Sequence, residues 1–260
     1  MEKLKVNWYT LCWNEGDIVR YIVDYWKYVR QQVDLHVIVY DNYSTDSCLD
    51  ELRKYDWIEI RQFYTNGMND PVQAQIKNTC WHESKGKCDF VIVSDFDEVL
   101  WGDISSVLGE MKRNGYTCLG TRWYAFCGLE MPSYEEGKYL HQLVKRGYYQ
   151  YVNHMEQFKH LGKFMVIDPN KVDTMNWSVG NHICNPKPGL TLYVTDKVVA
   201  FHVNKGLSED YFTERRQYMA KRLSEINKQY GMCIEYTYPE DRIREEYRNY
   251  IKDSVDISDI

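Results

Sequence analysis

The stretch FVIVSDFDEVLWG, residues 90–102, sets four apolar residues directly against a cluster of acids. Asp95, Asp97 and Glu98 fall within four positions. Carboxylates that close repel, and at least one pKa should rise unless a cation sits among them. A short β-rich apolar run of this kind reads as a buried strand. Two chemistries fit its acidic end. One is a metal held against phosphates. The other is an aspartate nucleophile with an aspartate acid/base beside it.

The residues upstream say what kind of sheet this strand joins. Residues 6–13 are strand-like and end in CWNEGD. Residues 17–31 carry Ile18, Tyr21, Ile22, Tyr25, Trp26 and Val29 at helical spacing. LHVIVYD is a second strand, and STDSCLDELRKY opens a helix with Ser and Asp before its first apolar residues. WIEIRQF alternates as a strand, residues 72–84 read as a helix, and DISSVLGEMKRN reads as another with Asp103 as its cap. Strand and helix in alternation over 115 residues predict an α/β fold with a mostly parallel sheet. In such sheets ligands gather at the carboxyl ends of the strands. NEGD, DNYSTD and DFDE follow the first, second and fourth strands, so three polar clusters should meet on one rim.

Beyond residue 115 the pattern loosens. YTCLGTRWYAF, GKFMVID, LTLYVTD and KVVAFHV look like separate strands between long loops. One helix is expected across LSEDYFTERRQYMAKRLSEINKQYG, capped by Ser208, stapled by Leu207 and Phe212 and stopped by Gly231. The segment after Pro239 is highly charged and reads as a short surface helix.

Composition removes several classes. A net charge of −6 argues against nucleic acid as partner. No apolar run is long enough to span a membrane. The start lacks the apolar core of a signal peptide. Eight cysteines without a C-x-x-C pair suit reduced thiols, and so a cytoplasmic protein, better than a disulfide frame or a zinc site. The basic ERRQYMAKR stretch offers a peripheral contact with the inner face of a membrane, although a solvated helix face is the commoner meaning of such a run.

The motifs CWNEGDIVRYIVDYWKYV, VIVYDNYSTDSC, QAQIKNTCW and FVIVSDFDEVLW, in this order and spacing, resemble those of a GT-A nucleotide-sugar glycosyltransferase of the family-2-like and family-92-like group. GKFMVIDPNKV and FHVNKGLSEDYFTERR are similar to later segments of that family. The resemblance implies a Rossmann-like, mostly parallel mixed sheet flanked by helices in a single domain. Residues 1–232 would be the catalytic domain, with 1–102 its nucleotide-sugar-binding half and 103–232 its acceptor half. Residues 233–260 would be a charged tail. The implied activity is metal-dependent transfer, inverting, from a nucleotide-diphospho-sugar, UDP-linked, to a glycan or lipid-linked saccharide. Mn²⁺ or Mg²⁺ would be the cofactor.

By the same resemblance Asn14 and Glu15 lie near the nucleotide, Asp41 accepts from base or ribose, and Asn42 and Ser44 shape its turn. Gln75, Lys77 and Asn78 face the donor. Asp95, Phe96 and Asp97 meet metal and ribose, and His202 is a third metal ligand beside Asp95 and Asp97. Asp97 counts as catalytic through the metal. The base that takes the acceptor proton is open among Glu130, Glu156 and Asp173. Trp101, Trp123 and Tyr124 are candidates for stacking on sugar, with core packing as the plainer role of each. VIVSDFDEVL also matches the first motif of haloacid-dehalogenase-like phosphatases, with Asp95 as nucleophile and Asp97 as acid/base. That motif normally opens the first core strand, whereas three strand–helix units precede it here.

Overall fold

Each apolar run of the first hundred residues becomes a strand or a helix at close to its expected bounds in the computed structural model, which describes residues 2–150, 160–203 and 206–260. In chain order the elements are β1 (Lys5–Cys12), α1 (Val19–Gln32), β2 (Asp34–Asp41), α2 (Cys48–Leu52), β3 (Ile58–Gln62), α3 (Asp70–Thr79), β4 (Phe90–Asp95), β5 (Glu98–Gly102), α4 (Ile104–Asn114) and β6 (Cys118–Phe126). There follow α5 (Leu140–Leu143), β7 (Arg146–Tyr149), β8 (Val166–Ile167), β9 (Leu192–His202), α6 (Glu209–Ala220), α7 (Glu225–Tyr230), α8 (Glu240–Lys252) and β10 (Val255–Asp256). The fold is α/β, with a mostly parallel central sheet flanked by helices. Its residues group into two compact units.

The first unit comprises residues 2–64, 71–123 and 160–200. Its strands run in the order β3-β2-β1-β4-β8-β6, with β1 to β4 parallel and β8 antiparallel to both neighbours. β1 is buried on both faces because successive side chains point to opposite sides. Trp8 meets Trp26 of α1 edge-to-face at 6.2 Å. Tyr9 turns the other way, into a cluster with Trp81, Val91, Val93, Phe164 and Ile167. Asp103 caps α4 as expected, accepting from Ser106 N at 3.1 Å, and Gly115 ends it in the left-handed region.

Two expectations change here, and one strand is added. The helix expected over 72–84 ends at Thr79 and tightens into a 3₁₀ turn, Cys80–Ser84. EVLWG, to which the sequence reading assigned no element, is β5, and it pairs with β9. LTLYVTD and KVVAFHV are one eleven-residue strand, β9, whose polar middle, Thr195 to Lys197, is solvent-facing or half-buried strand rather than a turn.

The second unit comprises residues 65–70, 124–150, 201–203 and 206–260. Ser208 caps α6 as expected, and Gly231 stops α7 in the left-handed region. The long helix expected between them is broken, although its apolar stripe continues. Met68 N donates to Arg222 O at 2.6 Å, and Ser224 N donates to Met68 O at 3.1 Å. These backbone groups form an isolated parallel bridge between Met68 and Leu223 instead of bonding to the preceding turn, and Ser224 caps a new helix by accepting from Asn227 N. A Cβ on Gly67 would stand 2.4 Å from Arg222 O, so this approach needs glycine. The charged segment after Pro239 does form a helix, α8, and it buries Ile243 and Tyr247 against Cys127 and Phe212. β7 pairs with β10 near the C-terminal end of the chain.

Candidate active site at the strand ends

In the first unit β1 lies between β2 and β4, while β3 continues beyond β2. The chain therefore builds outward on one side of β1 and then crosses to the other. That reversal is a topological switch point, and it opens a crevice at the carboxyl ends of β1 and β4. Cys12 pairs with Asp41 and Leu11 pairs with Asp95, so both acids end their strands at one rim. Neighbouring strands run about 4.8 Å apart, which puts Asp41 and Asp95 about 10 Å from each other.

Two turns interlock above β1 and β2. Asn14 sits at φ +50, and its backbone N–H donates to Ser44 Oγ at 2.9 Å. Its side-chain Oδ1 accepts from Thr45 N at 2.7 Å. Gly16 N donates to Asp46 Oδ2 at 2.7 Å. A Cβ at Gly16 would stand 2.9 Å from that same oxygen, so a larger residue after Glu15 would displace the Asp46 side chain from this bond. Asp41 is fully buried and accepts from both the amide and the hydroxyl of Ser44, the latter at 2.5 Å. Asn42 is buried beside it. Glu15 starts α1 with its carbonyl, which accepts from Ile18 N and Val19 N.

The acidic turn is held by two buried lysines. Lys77 Nζ, from α3, lies 2.5 Å from Asp95 Oδ1. Lys163 Nζ lies 3.1 Å from Asp95 Oδ2 and 2.5 Å from Glu98 Oε1. Asp95 N donates to Glu98 Oε2 at 2.8 Å and closes the ring. Burial by itself would raise the Asp95 carboxyl, but Lys77 and Lys163 reverse this and hold it well below the usual carboxylate range. Burial by itself would lower the Lys163 ammonium, but Glu98 and then Asp95 hold it above the ordinary lysine value. The repulsion among acids expected from sequence is thus answered by the chain's own cations. Lys163 also lies over the buried Trp123 ring, 5.2 Å from its centroid.

The structure sorts the other candidates. Asp97 is buried within the same turn. The Phe96 ring packs in the core, edge-to-face with Trp26 at 5.4 Å, so only its backbone can face the rim. Gln75 is exposed, and a two-residue helical step puts it about 200° around α3 from Lys77, so the two do not share a face. Asn78 exchanges hydrogen bonds with the backbone of Trp177, donating at 2.9 Å and accepting at 2.8 Å. Trp101 stacks on Tyr28 at 4.0 Å and Trp123 is fully buried, which makes both packing residues. Asp173 is an exposed partner of Lys85.

In the second unit Tyr124 packs edge-to-face against Tyr149 at 5.6 Å. Glu130 is exposed. His202 places Nδ1 3.1 Å from Gln150 Oε1. Glu156 lies outside the described residues.

Among the described residues no three His, Cys, Asp or Glu side chains are grouped so as to hold a metal ion. Of the residues expected as metal ligands, Asp95 instead spends both oxygens on lysines and His202 faces Gln150. The turn fits a hard cation through Asp97, because magnesium-like ions commonly take one or two protein carboxylates and complete their shell from phosphate and water. No helix among the described residues is long and apolar enough to cross a membrane.

Lys163 and Glu98 are the residues that sequence reasoning left without a role. Both stood inside quoted motifs, GKFMVID and DFDEVL. The usable signal was charge balance: a buried acidic turn demands buried cations.

No protein-family model matches the sequence, and no curated protein matches it. Among solved structures the chain is similar to the 1–349 fragment of S. aureus TarS, with 12% identity and a TM-score of 0.46 over 95% of this chain and 71% of that one. The same fragment in complex with UDP-GlcNAc gives 14% identity and 0.45, over 95% and 72%. The mannosyltransferase PcManGT from Pyrobaculum calidifontis, in complex with GDP-Man and Mn²⁺, gives 12% and 0.44, over 97% and 75%. Similarity of this order assigns neither a family nor an activity.

Proposed function

We propose that the protein is a glycosyltransferase that binds a nucleotide-diphospho-sugar, UDP-linked, across the carboxyl ends of β1, β2 and β4. The observation that carries this reading is the register at the switch point, which sets a buried Asp41 and a lysine-bound acidic turn on one rim, either side of β1. The base and ribose lie towards Asp41 and the Asn14–Thr45 turn. The diphosphate lies towards Asp97, where Lys77 and Lys163 offset the charge of Asp95 and Glu98.

Asp97 would hold Mn²⁺ or Mg²⁺ together with diphosphate oxygens, because both oxygens of Asp95 are committed to lysines. A bound cation supplies charge neutralisation for the departing diphosphate. In an inverting transfer the acceptor hydroxyl attacks the anomeric carbon, its proton passes to a carboxylate base, and nucleoside diphosphate leaves. Glu130 and Glu156 remain the proposed bases, and a glycan or lipid-linked saccharide the proposed acceptor.

A phosphatase reading would make Asp95 the nucleophile. An attacking carboxylate needs an available oxygen, and each Asp95 oxygen faces an ammonium. The deciding experiment incubates the protein with UDP- and GDP-sugars and Mn²⁺ and follows nucleoside diphosphate release. Release without phospho-enzyme supports transfer. Beryllofluoride bound at Asp95, with turnover of a simple phosphate ester, would sink it.

A further inference from the structure

Beyond Asp41 and Gln62, which are register partners, β2 and β3 leave the sheet together, and Phe63 N still donates to Asp41 O at 3.1 Å. Two residues past each partner stands a tyrosine. The rings of Tyr43 and Tyr64 meet edge-to-face, 5.9 Å apart at 83°. Tyr43 is 53% exposed and Tyr64 73%. Single exposed aromatics are ordinary, but here two meet each other past the ends of adjacent strands, and both keep most of their surface in solvent.

Tyr43 also stands at φ +54, a region that glycine enters freely and a bulky side chain enters at a cost. Burial would normally offset that cost, and more than half of this side chain remains in solvent. Backbone strain kept without a packing return is typical of a ligand site. The strain lifts the ring from the turn whose Ser44 holds the buried Asp41 carboxylate.

We propose that Tyr43 and Tyr64 form an aromatic platform that stacks on the planar base of a nucleoside diphosphate. The inference rests on the nucleotide reading above and deepens it. The platform flanks Asp41, at the end of the crevice away from the Lys77–Asp95–Lys163 ring, so base and phosphates are assigned to opposite ends of the site. An edge-to-face pair leaves an open ring face, and every nucleobase has a π-face to lay on it.

The test is calorimetric titration of the full chain with UDP and with GDP, each with Mn²⁺, and with pyrophosphate as a probe that lacks a base. Tyr43→Ala and Tyr64→Ala are each expected to weaken the bound nucleotide about 10-fold, within the range of base–aromatic stacking, and to leave pyrophosphate unchanged. Tyr43→Gly is expected to raise Tm, by relieving the strained φ, while it weakens the nucleotide. A purely structural tyrosine would not give those opposite signs. Equal nucleotide affinity in wild type and both alanine variants overturns the platform and leaves the nucleotide reading standing. An equal loss for pyrophosphate also overturns it, as general distortion. A wild-type chain that binds neither nucleotide removes both.

Discussion

Lys163 Nζ lies 2.5 Å from Glu98 Oε1, with both side chains sealed from solvent and 65 positions apart in the chain. The same ammonium reaches Asp95, so a single cation from a weakly patterned segment closes the acidic turn. Truncating one partner of a buried pair leaves the other charged and uncompensated, which typically costs about 3–5 kcal/mol. Lys163→Met should therefore lower the unfolding free energy obtained from urea titration by about that amount. Adding Glu98→Gln should recover part of it. A single variant as stable as wild type would mean that water or another group replaces the ammonium.

Asp97→Ala should leave both lysine pairs of the ring in place and the chain cooperatively folded in urea. It should abolish any Mn²⁺ enhancement of UDP binding. Isothermal titration with and without the metal measures this. An enhancement that survives the substitution would move the cation site elsewhere.

His141 is buried and stacks on Phe201 at 5.2 Å, and burial lowers its pKa to about 4. A folded value below the unfolded value of about 6.5 means that the unfolded chain takes the proton first. Its contribution is complete above about pH 6.5 and is lost as pH falls towards 4, to the extent of about 3 kcal/mol at 1.36 kcal/mol per unit. Urea denaturation from pH 7 to pH 4 should show this slope, and His141→Phe should flatten it. A wild-type stability constant over that window would refute the assignment.

Asp95 and Lys163 act outside that window. The depressed Asp95 carboxyl gives a contribution present above about pH 4, the unfolded value, and lost below it. The raised Lys163 ammonium gives one present below about pH 10.4 and lost above it. Asp95→Asn should shallow the acid limb below pH 4, to which Glu59, Glu209 and Glu246 also contribute, and leave the His141 slope intact, as thermal scans at fixed ionic strength would show.

Cys12 and Cys48 hold their sulfurs 3.4 Å apart, both buried under the rim. Burial pushes the Cys12 thiol well above its usual value, and a thiol that stays protonated is a poor nucleophile. Iodoacetamide should leave both unlabelled in the native protein and label both in urea, as peptide mapping would reveal. Rapid native labelling would show that the rim opens.

The strands and helices of the first hundred residues were legible because their apolar periods are set locally. So was the meeting of NEGD, DNYSTD and DFDE, which follows from parallel order alone. The partners of the acids were not. Lys77 stood inside a legible helix but its ion pair with Asp95 was not legible, and Lys163 reaches the turn from a segment with no period to read. The break at Ser224 was hidden because the apolar stripe runs through it, and the cause is a backbone pairing with Met68, remote in sequence. Thr195–Asp196–Lys197 looked like a turn because exposed strand and turn favour the same polar residues.

β1 works as a ruler. It carries neither Asp41 nor Asp95, yet both are pegged to it, one against Cys12 and the other against Leu11. Moving either neighbour by one residue would shift its acid about 3.3 Å along the strand and turn the side chain to the opposite face. Trp8 and Tyr9, wedged into opposite sides, deny the strand that slip. The spacing of the two acids is thus written in the packing of Trp8 and Tyr9, residues of the sheet interior. A change of substrate size would have to be made in the turns above β1, because the strand itself has no slack to give.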